Sequence, residues 1–404
     1  MGEGIGREMN PEVKILEGDV LERLRSIPNE SVHCVVTSPP YWGLRNYGVP
    51  ESVWAPTHYR PMVGLPEFSI DSWRGCLGLE PTQELYVGHL VQVFREIWRV
   101  LRSDGTLWLN LGDSYMTSGG PNRKYPEKSV TPKQTSSTKI PEKNLFMIPS
   151  RVALALQADG WFLRSEIVWA KQNGMPESIK DRPTCAHEKI FLFSKSPVYF
   201  YDYESSLELA RAKNEHGMTS SGSYQAPGQK PQKMHLRTKE GNPSWKTIDD
   251  RNIRRDLGGP TQRLRSEGKS SFYFLRNPRN VWYMPTQPFP EAHFAVFPEE
   301  LPRRAITAGT SSSVCESCGS PWIRNENCAG KQGNRETGPS CRCSKNAPVP
   351  ATVLDPFGGS GTTGLVAQEM GRSAVLIECS PDYVAMAERR IRSEFPMFSR
   401  VIIG

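Results

Sequence analysis

The chain has 404 residues, 37% of them hydrophobic, with 34 glycines and 34 prolines. This suits a loop-rich soluble enzyme of one large or two ordinary domains and excludes fibrous and fully disordered classes. The formal net charge of +7 lies entirely within residues 204–280, where 15 Lys/Arg face 8 Asp/Glu, and the rest of the chain balances at 35 against 35. No apolar run approaches the ~18–20 residues needed to span a bilayer, residues 1–10 carry no apolar secretory segment, and an odd count of nine cysteines fits a reducing, cytoplasmic setting better than a disulfide scaffold.

In chain order, Val13–Leu16 reads as a strand ending at Gly18 and Asp19. Val20–Ile27 reads as a helix with Leu21, Leu24 and Ile27 on one stripe, and Val32–Val36 as a second strand. Gln83–Leu101 is an amphipathic helix, with Leu90, Val93, Phe94, Ile97 and Leu101 recurring at helical spacing. Ser103-Asp104-Gly105 reads as a turn before the strand Thr106–Leu111. Residues 117–144 are rich in Ser, Thr, Pro, Lys and Gly and read as a basic loop. A helix over Ser150–Asp159 and strands over Glu166–Trp169 and Lys189–Ser194 follow. Residues 204–280 lack sustained periodicity and read as an insertion; their charge points to a polyanionic partner. Order returns over 291–309, and 311–348 form a second insertion rich in Cys, Gly, Asn and Ser. Residues 351–392 then give strand, Gly-rich loop, helix (Thr362–Met370), strand (Ala374–Glu378) and helix (Asp382–Ser393). Strands alternating with helices predict an α/β fold with a mainly parallel sheet covered on both faces.

Two tracts carry the chemistry. Thr37-Ser38-Pro39-Pro40-Tyr41-Trp42 follows the second strand, and Asp355-Pro356-Phe357-Gly358-Gly359-Ser360-Gly361-Thr362-Thr363-Gly364 follows Ala351–Leu354. Ligands in such sheets sit beyond the C-terminal ends of strands. Gly358, Gly359 and Gly361 allow close backbone approach to a ligand. No Lys follows the glycines, which excludes a phosphate-cradling P-loop. The first tract resembles the amine-methylating loop of DNA aminomethyltransferases of the N4-cytosine/N6-adenine family. The second resembles the S-adenosylmethionine loop of the same family, and the order, catalytic loop first and cofactor loop last, resembles its β-type arrangement.

The resemblance implies a Rossmann-like, S-adenosylmethionine-dependent methyltransferase. Asp355 suits the cofactor's ammonium group, Glu378 its ribose hydroxyls and Asp19 its adenine amine; Phe357 or Pro381 is expected to pack on the adenine, and Ser360 and Thr362 complete the loop. A base amine is a poor nucleophile because its lone pair is delocalised into the ring. Acceptors that take its hydrogens localise that pair, and Ser38 Oγ with the Pro39 carbonyl suit the task. Pro39 and Pro40 remove backbone donors from the loop, and Tyr41 suits stacking on a base turned out of the duplex. Ser in the first position resembles the cytosine-N4 subgroup, with adenine N6 as the alternative and a non-catalytic DNA-binding module as a third reading. A C5-cytosine enzyme would need a Pro-Cys nucleophile loop, which neither tract contains.

The stretches Arg99–Gly105, Trp169–Asn173, Arg182–Glu188 with Phe191–Lys195, and His293–Pro298 extend the resemblance to 13–203 and 281–392. They divide the chain into a catalytic half (11–203), a target-recognition region (204–280), a return to the core (281–310), a zinc-binding insertion (311–348) and a cofactor-binding half (349–396). His293 is expected beside the methionine end of the cofactor; His187 reads as a core histidine, with a structural pair of His187 and Glu188 near the flipped base as the alternative. Arg251, Arg254, Arg255, Arg263 and Arg265 are expected to contact double-stranded DNA. Cys315, Cys318, Cys341 and Cys343 offer four thiolates to a structural zinc, with Cys328 as an alternative ligand; Cys34, Cys185 and Cys379 read as core. Enzymes of this kind commonly serve restriction–modification systems, which implies a cognate restriction endonuclease, although no motif here identifies one.

Overall fold

The computed structural model describes residues 11–44, 46–116, 140–174, 176–210, 274–287, 296–324, 337–394 and 400–404. Nine strands form its main sheet: β1 (Glu12–Glu17), β2 (Val32–Thr37), β3 (Leu101–Leu111), β4 (Phe162–Lys171), β5 (His187–Ser194), β6 (Val281–Met284), β7 (Thr352–Asp355), β8 (Ser373–Glu378) and β9 (Arg400–Ile403). Their spatial order is β6-β4-β5-β3-β2-β7-β8-β1-β9. Only β5 runs against its neighbours, β3 and β4. The other pairings are parallel. The first and last thirds of the chain therefore interleave, with β7 seated between β2 and β8.

Alternation along the strands separates two cores. Leu16, Val35, Leu107, Leu109, Phe193 and Leu354 face α1 (Val20–Arg25), α2 (Gln83–Val100) and α3 (Ile148–Ala158). Val13, Ile15, Val36, Trp108, Leu192 and Val353 face α4 (Glu300–Gly309), α5 (Thr362–Glu369) and α6 (Pro381–Glu394). This is the α/β sheet with helices on both faces that the sequence predicts. Helix α2 presents Leu90, Val93, Phe94 and Ile97 to the first core, all fully buried, and starts where Thr82 Oγ1 accepts the Leu85 amide at 3.2 Å.

The structure departs from the sequence reading at Ser103-Asp104-Gly105. These residues lie within β3, not in a turn before it. Val32 pairs with Leu101 but Cys34 pairs with Thr106, so the strand carries its extra residues as an irregularity in the ladder. Four short strands over residues 52–75 also escape the sequence reading; they pair as two antiparallel ribbons. The chain divides into two compact units, 1–205 with 279–404, and 206–278. Within the described part of the second, Glu208–Ala210 pairs antiparallel with Phe274–Arg276. Among the described residues no helix is long and apolar enough to cross a membrane.

Helix α4 meets the sheet closely at Gly309. A Cβ there would fall against Thr106 Oγ1, 2.9 Å from Cys34 Sγ and 3.1 Å from Trp108 Nε1. A Gly309→Leu chain should lose about 1–3 kcal/mol, the usual cost of overpacking a tight contact, read as a lower urea midpoint at unchanged slope. An unchanged midpoint would refute this packing.

Candidate active site

Four neighbouring parallel strands, β2, β7, β8 and β1, bring four polar groups to one edge of the sheet. Thr37 ends β2, Asp355 ends β7, Glu378 ends β8, and Asp19 follows β1 by two residues. The central tie is between the two loops. Thr37 Oγ1 donates to Asp355 Oδ1 at 2.7 Å across a sequence separation of 318 residues. The same oxygen accepts the Phe357 amide at 3.1 Å, and Oδ2 accepts Thr363 Oγ1 at 2.7 Å. Asp355 is 1% exposed, and burial pushes its carboxyl up to about 7 even though the three donors pull the other way. Three of its roughly four acceptor directions are thus filled from within the chain.

The glycine-rich loop curls over this carboxylate. Gly361 sits in the left-handed region at φ +80°, and a Cβ there would come 2.8 Å from Ala387 Cβ, so both conformation and space require glycine. Gly358 donates to the Ile377 carbonyl at 2.8 Å, and Gly359 donates to Glu378 Oε2 at 2.8 Å. Glu378 Oε1 accepts the Ser380 amide at 2.9 Å, and burial raises its pKa. Phe357 is half-buried against the first core. Ser360 and Thr362 are buried, and their hydroxyls meet Arg390 Nη1 of α6 at 3.3 and 2.8 Å; Arg390 in turn pairs with Glu299 at 2.9 Å. Both hydroxyls therefore brace the loop against α6. Asp19 caps α1, its Oδ1 accepting the Leu21 and Glu22 amides at 2.9 and 3.1 Å, and its Oδ2 accepts Ser52 Oγ at 2.6 Å.

On the other side of the Thr37–Asp355 tie, Ser38 Oγ donates to Tyr41 Oη at 3.1 Å, and Tyr41 Oη donates to Glu188 Oε2 at 2.6 Å. Asn110 Nδ2 donates to Tyr41 Oη at 2.7 Å and to Glu188 Oε2 at 2.9 Å. Lys171 pairs with the remaining Glu188 oxygen. Burial and the adjacent carboxylate of Glu188 push the Tyr41 hydroxyl well up, so it stays a donor. Its ring lies against Gly112, where a Cβ would come 2.5 Å from the ring edge. Pro39 is buried, and the Pro40 carbonyl accepts Tyr86 Oη at 2.8 Å.

Behind the loop lies a buried support the sequence did not reveal. Glu80 and His89 pair at 2.9 Å with both side chains fully buried, and His89 is stacked by Trp54 and Trp73 at 4.5 and 5.3 Å. Glu80 also accepts the Gly78 amide through its side chain and Trp42 Nε1 through its carbonyl, at 2.8 and 2.9 Å, while Gly43 donates to the Gly78 carbonyl at 2.8 Å. Asn110, Lys171, Glu80 and His89 were missed as site residues. The one available signal was Asn110, a lone polar side chain in the apolar run of β3 and next to its end. His187 is exposed and not a core histidine, because it starts β5 at the open end of the ladder, and Cys185 and Cys379 are exposed where core was expected; Cys34 is buried. His293 and the arginines at 251, 254, 255, 263 and 265 lie outside the described residues.

At the opposite end of β2, Cys315, Cys318, Cys341 and Cys343 bring their sulfur atoms within 4.8 Å of one another. A tetrahedral zinc with ~2.3 Å bonds spaces its sulfurs about 3.8 Å apart, so the donor set and its compactness fit that ion. The knuckle is tied to the sheet through two carbonyls. Arg102 Nη1 donates to Cys318 O at 2.7 Å, and His33 Nε2 meets Gly319 O at 3.1 Å. His33 Nδ1 accepts the Thr352 amide at 3.1 Å, which assigns the ring proton to Nε2.

The carboxyl of Asp355 gives a pH dependence with a defined sign. An acid raised in the folded state binds protons there that the unfolded chain has released, so stability falls with rising pH between the ordinary carboxylate value of 3.8 and about 7. Asp355→Asn should flatten that slope, read by chemical denaturation at pH 5 and 8. Equal slopes in the two chains would contradict it.

The family model described as DNA methylase (N6_N4_Mtase) matches residues 32–389. The Type II methyltransferase M.XycI of Xanthomonas campestris pv. cyanopsidis is 36% identical over 402 residues, covering 97% of this chain and 93% of the relative. M.Cfr9I of Citrobacter freundii is 35% identical, covering 94% and 88%. Among solved structures, the PvuII DNA methyltransferase (cytosine-N4-specific) is similar over 95% of this chain and 89% of that one, at 19% identity and a TM-score of 0.49. With a family model matched over most of its length and relatives above 30% identity along nearly all of it, the chain belongs to the N6/N4 DNA methylase family.

Proposed function

We propose that this DNA methyltransferase moves a methyl group from S-adenosylmethionine to the exocyclic N4 amine of a cytosine turned out of duplex DNA. The observation that carries the reading is the Thr37–Asp355 hydrogen bond, which sets the cofactor loop directly beside Ser38. S-adenosylmethionine supplies an electrophilic methyl on a positive sulfur. The residues present fit it. Asp355 is a carboxyl raised by burial, and the cofactor's ammonium would offset that through charge. Glu378 Oε2 takes one backbone amide and retains an acceptor direction for a ribose hydroxyl, while Oε1 is occupied by the Ser380 amide and the Cys379 thiol. Asp19 Oδ2 retains one for the adenine amine.

Ser38 spends its hydrogen on Tyr41, so its oxygen is left as an acceptor with a lone pair for an amine hydrogen. Accepting that hydrogen localises the nitrogen lone pair along the line to the methyl group. The chain's contribution is alignment and electrostatic support. Ser in the first loop position favours cytosine N4. Adenine N6 is the second reading, because the matched family spans both amines.

The segment 204–280, with Arg251, Arg254, Arg255, Arg263 and Arg265, is assigned to duplex DNA on its charge, and a restriction endonuclease of the same specificity is the partner such a modification enzyme would serve. The four-cysteine knuckle is assigned a structural zinc, since four protein sulfurs leave no open position for catalysis.

Nucleoside mass spectrometry of DNA treated with the purified chain should find N4-methylcytosine; N6-methyladenine would move the assignment to the second reading, and neither product would refute both. Tyr41→Ala should abolish turnover with cofactor affinity nearly unchanged, whereas Asp355→Ala should weaken the cofactor; normal turnover or unchanged affinity would refute those roles. Elemental analysis should find one zinc per chain, and Cys318→Ser should lose it and lower the unfolding midpoint by roughly 5 °C or more. A metal-free wild-type chain of equal stability would exclude the zinc.

A further inference from the structure

We propose that Glu188 is the terminal proton acceptor of a relay running from the substrate amine through Ser38 and Tyr41, with Lys171 and Asn110 as its positioning residues. The proposal rests on the amine-methylation reading above. Its basis is the direction of the hydrogen bonds, which is fixed link by link. The Glu188 carboxylate paired with Lys171 can only accept, so Tyr41 must donate to it, at 2.6 Å. Having spent its one proton, Tyr41 Oη can only accept from Ser38, at 3.1 Å, and from Asn110 Nδ2, at 2.7 Å. Ser38 must in turn donate inward, and its oxygen, 3.5 Å from Asn110 Nδ2, keeps a lone pair for an amine hydrogen. The chain of hydroxyls is therefore polarised away from the substrate and ends on a base, which is the arrangement that removing a proton from the amine requires.

The step balances. As the amine nitrogen bonds to the methyl carbon, the carbon–sulfur pair stays on sulfur and neutralises its charge, and the nitrogen becomes cationic. The amine N–H then breaks and its proton binds Ser38 Oγ. The Ser38 proton passes to Tyr41 Oη, and the Tyr41 proton passes to Glu188 Oε2. One positive and one negative charge disappear together, leaving a neutral methylamine and a neutral carboxylic acid.

The surroundings support the assignment. Lys171 comes from β4, the strand neighbouring that of Glu188, where Trp169 and Glu188 stand in register, and its ammonium pairs with Glu188 Oε1 and holds the acceptor in place. Asn110 comes from β3 on the other side, and its amide group holds Tyr41 Oη and Glu188 Oε2 together. Lys171 and Tyr41 are the titratable groups facing Glu188 from these elements, and Tyr47 adds its electrostatic influence on Tyr41. The Tyr41 hydroxyl is pushed upward and does not ionise itself, so it conducts a proton without becoming the base.

The test is single-turnover methylation of a duplex oligonucleotide with methyl-labelled S-adenosylmethionine across pH 5–9, using the wild-type chain, Glu188→Gln and Tyr41→Phe. Tyr41→Phe keeps the ring against Gly112 and leaves the Lys171–Glu188 pair intact, so it cuts the relay even if Glu188→Gln disturbs the fold. Each variant should lose about 100-fold in rate, within the usual range for general acid–base catalysis. Cofactor affinity should stay within about twofold. The double variant should be no slower than the slower single, since both cut one path. Near-wild-type rates in both variants, or losses that multiply in the double variant, would overturn the relay and reduce the network to a scaffold for Tyr41. A wild-type chain that methylates neither cytosine nor adenine would instead overturn the underlying reading along with it.

Discussion

The structure depends on one buried hydrogen bond, from Thr37 to Asp355. It joins the last residue of β2 to the last residue of β7, and so joins two loops that the sequence places near opposite ends of the chain. A charge-assisted bond of this kind is worth only about 1.5–3 kcal/mol. Its importance is geometric. Because β2 and β7 pair in parallel, with Val353 opposite Cys34 and Leu354 opposite Val35, their C-terminal ends open on the same side. The acceptor-bearing loop and the glycine-rich loop then have one shared cleft to build. Glu378 and Asp19 complete the row from the next two strands.

Both loops are held more firmly than stability alone would ask. Asp355 is kept buried without a cation, and an aromatic-stacked Glu80–His89 pair stands behind Trp42, Gly43 and Gly78. Groups of this sort cost folding energy unless their partners are well placed. They make sense where a few acceptors must be aimed at an incoming amine with little freedom. The cysteine knuckle works at the other end of the same strands. Through Arg102 on β3 and His33 on β2 it grips the strands whose far ends carry Asn110 and Ser38. The cysteine knuckle and the candidate active site therefore share two strands without sharing a residue.

Much of this was legible in the sequence. The apolar runs of β2, β7 and β8 declared buried parallel strands, and the tracts that follow them declared the two loops and their family. Helix α2 was readable from its stripe of Leu90, Val93, Phe94 and Ile97. Other features were hidden for physical reasons. The irregularity at residues 102–105 arises from pairing with Val32 and Cys34, which local turn chemistry cannot reveal. The ribbons over residues 52–75 have three-residue strands, too short for any period. Exposure of His187 and Cys185 depends on where β5 begins relative to its neighbours. The Glu188–Lys171 pair needs the register of β4 against β5. Glu80 and His89 look like ordinary polar residues until Trp54 and Trp73 close around them.

The central claim is that the methyl group, when the cofactor is bound, faces the loop that begins at Ser38. Ultraviolet irradiation of the chain with methyl-labelled S-adenosylmethionine, followed by peptide mapping, tests this without any DNA. The account predicts label in the peptide containing Ser38 to Trp42. Label found only in peptides remote from both loops, such as the cysteine knuckle, would contradict it.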